Sequence, residues 1–213
     1  MKYKLALFDM DGTLLDGRTI YYFSKKKDFQ NQLINILKSN KKFYEITIEI
    51  AKLLKGFKKT ELIEIFSRIP LQTGVEKVIQ ELKKRKIKTA IITDSYQFVA
   101  DELKKKLGID YAYANDLISM NGRFTGEIIL HNKELMRDPI NNEIYSICKS
   151  YVLEKLCTKL KISEKEVIAI GDGIVDISML EKAGLGIAFK APEKVQKHAN
   201  ISINNMICLL NYI

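Results

Sequence analysis

The chain has 213 residues, 46% of them hydrophobic, enough for one packed core, or for one core carrying a small insertion, without covalent staples. Its three cysteines, Cys148, Cys157 and Cys208, are odd in number and share no metal-ligand spacing, which argues against a disulfide framework or zinc site and points to a reducing, cytoplasmic compartment. The net charge of +9 raises the question of nucleic acid, but the runs Lys25 to Lys27, Lys83 to Lys86 and Lys104 to Lys106 lie on polar faces or ends of separate helical patterns without interleaved aromatics, so no nucleic-acid partner is expected.

In chain order, Leu5-Ala6-Leu7-Phe8 is an apolar run cut by Asp9, too short for a signal peptide, and reads as a strand over Lys4 to Phe8. Residues Thr19 to Ser67 hold three helix-like patterns and no strand, with Leu33, Leu37, Ile46, Ile50, Leu53 and Leu62 among the apolar positions at helical spacing. Beyond them, helices are predicted over Thr73 to Lys86, Ser95 to Leu107 and Ser146 to Leu160, and strands over Lys88 to Thr93, Tyr111 to Ala114, Val167 to Ile170, Leu185 to Phe189 and Ile201 to Ile203. Met120-Asn121-Gly122-Arg123 supplies the turn of a hairpin spanning Leu117 to Leu130. Lysines interrupt every helical pattern, and no stretch approaches a membrane span.

Strands alternating with helices imply an α/β fold with a Rossmann-like parallel sheet. The helical stretch breaks that alternation directly after the first strand. A small bundle inserted there would stand over the strand's carboxyl end, where open α/β sheets bind ligands. Residues 15–71 are therefore expected to form a helical cap, and 1–14 with 72–213 the core.

Chemistry concentrates at two strand ends. Asp9-Met10-Asp11-Gly12-Thr13-Leu14 places two carboxylates at the end of the first strand, where Gly12 lets the chain turn away, and acids so close repel unless a cation joins them. The same residues also suit a plain Asp-Gly turn whose acids cap the following helix; a calcium loop fits less well, because the glycine comes too early. Gly171-Asp172-Gly173-Ile174-Val175-Asp176 repeats the arrangement after Ala169-Ile170, and equally reads as a glycine turn with an N-cap aspartate. Thr93 at a strand end and Lys149 at a helix start are, taken singly, a cap and a solvated lysine.

Taken in order, Asp9-Met10-Asp11-Gly12-Thr13, Thr93, Lys149 and Gly171 to Met179 resemble the haloacid dehalogenase (HAD) superfamily, within it the phosphoserine phosphatase branch. The resemblance implies a sheet ordered like 5-4-1-2-3 with a helical cap after the first strand. It implies a magnesium-dependent phosphatase acting on a small phosphorylated substrate, with Asp9 as nucleophile and Asp11 as acid and base. Thr93 would hold a phosphoryl oxygen and Lys149 would neutralise charge. The metal would be held by Asp9, the Asp11 carbonyl and Asp172, with Asp176, Gly12 and Gly173 in support. A phosphotransferase of the same superfamily and a basic binding module without catalysis are the competing readings.

Five positions depart from that branch. Where it carries a cap glutamate for the substrate ammonium group, this chain has Arg18, and its cap arginine for the substrate carboxylate falls on Ile50. Its asparagine before the last acid becomes Val175, and a glycine pair after the hydroxyl residue becomes Asp94-Ser95. Asp16, Tyr21 and Tyr22 are either reshaped pocket residues or ordinary surface and core. An arginine facing an ammonium group is repulsive, so phosphoserine is expected to be a poor substrate.

Overall fold

The computed structural model describes residues 2–213. Its elements run β1 (Leu5–Phe8), α1 (Thr19–Lys27), α2 (Gln30–Leu37), α3 (Phe43–Leu53), α4 (Lys59–Ser67), α5 (Val75–Lys84), β2 (Lys88–Tyr96), α6 (Gln97–Leu107), β3 (Tyr111–Met120), β4 (Arg123–Ile129), α7 (Lys149–Leu160), β5 (Val167–Gly171), α8 (Ile177–Lys182), β6 (Leu185–Phe189), α9 (Glu193–Gln196) and β7 (Ile201–Ile203). Seven strands form one sheet in the order β4-β3-β2-β1-β5-β6-β7. All neighbours are parallel except β3 and β4.

β1, β5 and β6 carry no polar side chain because both faces of the sheet are covered there. Successive residues point to opposite faces, so β1 divides its side chains. Ala6 and Phe8 join the layer that includes α5 and α6, while Leu5 and Leu7 pack with Val152, Leu153 and Leu156 of α7. All four are fully buried. Among the described residues no helix is long and apolar enough to cross a membrane.

Between β1 and α5 the chain forms four helices where three patterns are expected. Asp28 adopts a left-handed φ of 58° and ends α1, so a second helix starts at Gln30. Phe23, Phe29, Leu33, Leu54, Leu62 and Phe66 from these helices are buried in the same cluster as one face of the sheet. The hairpin reaches them: Arg123 donates to the Gly56 carbonyl at 2.8 Å, and Phe98 packs between Phe23 and Phe124, with ring centroids 6.4 and 4.8 Å apart. At its tip Asn121 (φ 51°) and Gly122 (φ 75°) are both left-handed, as a two-residue hairpin turn requires.

Several predicted boundaries move, among them the start of α7, which is Lys149 and not Ser146. β3 does not stop at Ala114; it continues to Met120, its first half pairing with β2 and its second with β4. β2 does not end at Thr93. It bulges, since its register with β3 shifts between Ile92 and Tyr96, and α6 starts only at Gln97.

Asp110 pins the outer sheet, accepting from Lys88 Nζ (2.6 Å) and from the Thr89 N–H (2.9 Å). Burial pulls its pKa up, but these bonds outweigh it and leave the carboxyl below its ordinary value. A depressed folded pKa stabilises above the unfolded value and the contribution disappears as pH falls through the folded one. Asp110→Asn should therefore cost about 1 kcal/mol at pH 7, a figure reduced for partial exposure, and the difference from wild type in urea titrations should shrink below about pH 4. Equal midpoints at pH 7 would refute the role.

Candidate active site

Parallel register brings the site together. Phe8 lies beside Ile91 on one side and Ile170 on the other, so the residues that follow emerge at one edge of the sheet: Asp9 from β1, the Thr93 bulge from β2, and Asp172 from β5. The Asp9 N–H prolongs the ladder by donating to the Ile170 carbonyl at 2.9 Å.

Lys149, the first residue of α7, enters beneath them. Its Nζ donates to Asp9 Oδ1 (2.6 Å) and Asp176 Oδ1 (2.5 Å), and its side chain is 0% exposed. Asp176 Oδ2 accepts the N–H groups of Asp172 (3.0 Å) and Gly173 (2.9 Å), so this acid holds both the lysine and the loop. Gly173 contributes that amide rather than space, since an added Cβ would meet Asp176 only at ordinary contact distance. Gly171 contributes space: a Cβ there would lie 2.4 Å from Asp176 Cγ. Gly12 does both, turning at φ 95° and passing so close that a Cβ would sit 2.5 Å from Asp172 Oδ2.

Asp11 is oriented by the inserted helices. Its Oδ1 accepts from the Thr19 N–H (2.8 Å) and Thr19 Oγ1 (2.5 Å) at the start of α1, so one of its oxygens is tied down. Burial raises its pKa to about 6, against the pull of those two bonds. Thr93 is fully buried, and its hydroxyl accepts the Ser95 N–H at 3.2 Å; the cavity wall is made instead by Asp94, Ser95 and Tyr96.

A cavity of about 540 Å³ opens above the acids, and Arg18, Ile50, Asp94 and Val175 all line it. Arg18 Nη2 stands 3.9 Å from Asp172 Oδ2 with half its side chain in solvent. Tyr21 also lines the cavity, whereas Tyr22 packs on the core and Asp16 accepts from Gln72. Several contributors carry no recognisable local signal. Gln72 donates to the Gly12 carbonyl (3.1 Å) and accepts from Lys190 Nζ (2.7 Å). Asn115 is fully buried and donates to the carbonyls of Asp94 (2.7 Å) and Ser95 (3.2 Å) and to Ser146 Oγ (2.9 Å), holding the β2 bulge. Thr13, which donates to Asp172 Oδ1 at 2.9 Å, lay inside a visible motif and was legible as a partner of the acids.

The donor set suits a hard cation. Oxygens of Asp9, Asp172 and Asp176 lie within 4.8 Å of one another, and burial raises the pKa values of Asp9 and Asp172 while the neighbouring acids add to the rise. The charge of Lys149, kept on by Asp176 and Asp9 against its burial, cannot balance three carboxylates. Both Asp176 oxygens are already engaged. Asp9 and Asp172 each keep an oxygen that receives no hydrogen bond among the described residues, as does the Asp11 carbonyl. All three are oxygen donors of the kind magnesium selects.

A sequence model of haloacid dehalogenase-like hydrolases matches residues 3–184. The phosphoserine phosphatase of Methanocaldococcus jannaschii is 32% identical over 206 residues, covering 95% of this chain and 92% of that one. The phosphoserine phosphatase of Archaeoglobus fulgidus is 34% identical over 205 residues; these are 94% of this chain but 56% of that relative's length. Among solved structures, a phospho-aspartyl intermediate analogue of phosphoserine phosphatase superposes with a TM-score of 0.84 at 31% identity over 100% of both chains, and a substrate-bound phosphoserine phosphatase complex with 0.84 at 30% over 100% and 99%. With its sheet order, its strand-end acids and these similarities in agreement, the chain belongs to the haloacid dehalogenase-like hydrolases, in their phosphoserine phosphatase-like branch.

Proposed function

We propose that the chain is a magnesium-dependent phosphatase of small phosphomonoesters, working through an aspartyl-phosphate on Asp9, with a specificity moved away from phosphoserine. The observation that carries this reading is the cluster of Asp9, Asp172 and Asp176 around Lys149 at the floor of a cavity. In this reading residues 15–71 serve as the cap and 1–14 with 72–213 as the core.

Bound magnesium, held by Asp9, Asp172 and the Asp11 carbonyl, would supply the charge that lets a carboxylate approach a phosphate dianion. The rest falls to the chain. A carboxylate oxygen of Asp9, held in place by Lys149, attacks phosphorus, and the P–O bond to the leaving alcohol breaks. The free oxygen of Asp11 gives its proton to that leaving oxygen. In the second half Asp11 takes a proton from water, whose oxygen attacks the phosphorus and releases inorganic phosphate and the Asp9 carboxylate. Lys149 steadies the negative charge gathering at Asp9, and the phosphoryl oxygens lie against the bulge that follows Thr93, where Ser95 lines the cavity.

The cap side of the cavity supports the altered specificity. An ammonium group would meet the Arg18 guanidinium, which Asp172, Asp94 and Asp9 hold charged against the effect of burial, and the carboxylate of phosphoserine would meet Ile50.

With p-nitrophenyl phosphate and magnesium, Asp9→Asn should lower kcat by about four orders of magnitude or more while circular dichroism stays unchanged; a variant as active as wild type removes the nucleophile. Chelation with EDTA should abolish turnover and magnesium restore it, and Asp172→Asn should raise the half-saturating magnesium concentration by about 10- to 100-fold. Full activity in EDTA would end the metal assignment. Phosphoserine should be hydrolysed with a kcat/KM at least about tenfold below that of p-nitrophenyl phosphate, and Arg18→Glu should narrow the gap. Phosphoserine preferred by wild type would show that the specificity has not moved.

A further inference from the structure

The cavity is divided by polarity. Its carboxylates, Asp9, Asp11, Asp94, Asp172 and Asp176, all stand at the sheet end. The opposite wall comes from the inserted helices and is built mainly of Ile20, Leu37, Phe43, Ile46 and Ile50, with no acid among them. Tyr145, from the segment before α7, closes this apolar wall by packing at a tilt against Phe43, with ring centroids 4.9 Å apart.

The apolar surface does not stop at the cavity. A groove of about 490 Å³ runs between α1 and α2, floored by Leu33 and Ile34 and flanked by Lys25 and Lys38. Tyr21 and Leu37 line both the groove and the cavity, so the two adjoin across these side chains. Tyr21, Ile34, Leu37 and Phe43 are 48%, 45%, 40% and 44% exposed, a cluster of large apolar side chains held in water beside the catalytic acids. Isolated exposed apolar residues need no explanation, but a contiguous set at the mouth of a polar site marks where a ligand's apolar part is covered.

We propose that the substrate is an amphiphilic phosphomonoester, whose phosphate sits over Asp9 and whose hydrocarbon body lies along the Ile46 and Ile50 wall and continues into the groove between α1 and α2. This rests on the phosphatase reading for the position of the phosphate. The leaving group therefore carries an alkyl or extended aryl chain in place of an amino acid's paired charges. Occupation of the groove by that chain accounts at once for the missing acid on the cap side, for Ile50 and for the exposed lip. Arg18 stands between the two zones, beside Asp172, where it reaches the phosphate end of such a molecule rather than its tail.

The test is calorimetric binding of n-alkyl phosphonates from ethyl to decyl, each below its micelle concentration, to the whole protein in magnesium chloride. Complete burial of a methylene is worth about fourfold in affinity, and a half-open groove should give about twofold per methylene, hence about 60-fold over the six methylenes from ethyl to octyl. Ile34→Gln, on the exposed floor of the groove, should reduce the octyl-to-ethyl affinity ratio at least about threefold. A series flat in chain length overturns the proposal, and so does a rising series on which Ile34→Gln has no effect, because the chain would then lie elsewhere. Turnover of p-nitrophenyl phosphate is scored separately: if it is absent while the series rises, the phosphatase reading fails and the groove stands; if it is present over a flat series, the groove fails alone.

Discussion

The buried ammonium group of Lys149, shared between Asp9 and Asp176, is the interaction on which the arrangement depends. Lys149 and Asp176 are almost wholly removed from water and Asp9 nearly so. Ions so placed are costly unless each is paired and its remaining sites are satisfied. Asp176 meets that condition fully, with the lysine on one oxygen and two loop amides on the other. Asp9 meets it by half, and the unsatisfied half faces the cavity. One cation thus joins the ends of β1 and β5 to the start of α7, and leaves one oxygen of Asp9 without a hydrogen bond among the described residues.

Around that pair the fold acts as a positioning device. Parallel register sets the ends of β1 and β5 level, and the bulge in β2 carries Asp94 and Ser95 toward the cavity, where Asn115 grips their carbonyls. The inserted helices take part as well, because Thr19 at the start of α1 holds Asp11 through two bonds. Asp11 is thereby coupled to the helices that line the cavity. Those helices also share a hydrophobic cluster with one face of the sheet, which links the cavity roof to the core by packing as well as by chain connection.

Much of this is legible in the chain itself, and the division follows the range of each interaction. Asp9, Asp11, Gly12, Asp172 and Asp176 lie within two short segments next to apolar strands, so their types and spacing announce a strand-end acidic site. The hairpin turn at Asn121-Gly122 is equally local, because left-handed φ selects those residues. Thr93 was visible as a hydroxyl at a strand end, yet its hydroxyl accepts from Ser95 and its neighbours make the wall, since the bulge depends on Asn115, more than twenty residues further along the chain. Gln72, Lys190 and Tyr145 had no signal at all: each meets the site across a long stretch of sequence and belongs to no repeating pattern.

What the sequence alone determined is the α/β class, the insertion after the first strand, the family resemblance and the identity of the acids, because hydrophobic periodicity and contiguous motifs are properties of neighbouring residues. Only tertiary structure decided that Asp176 and Lys149 are bonded to each other, that Asp11 is tethered to α1, that β2 bulges, and that the cavity wall from α1 to α3 is apolar and shares Tyr21 and Leu37 with a groove. Those facts depend on which side chains meet across the parallel sheet and the inserted helices, and distances between segments far apart in the chain are set by packing, which no local pattern encodes.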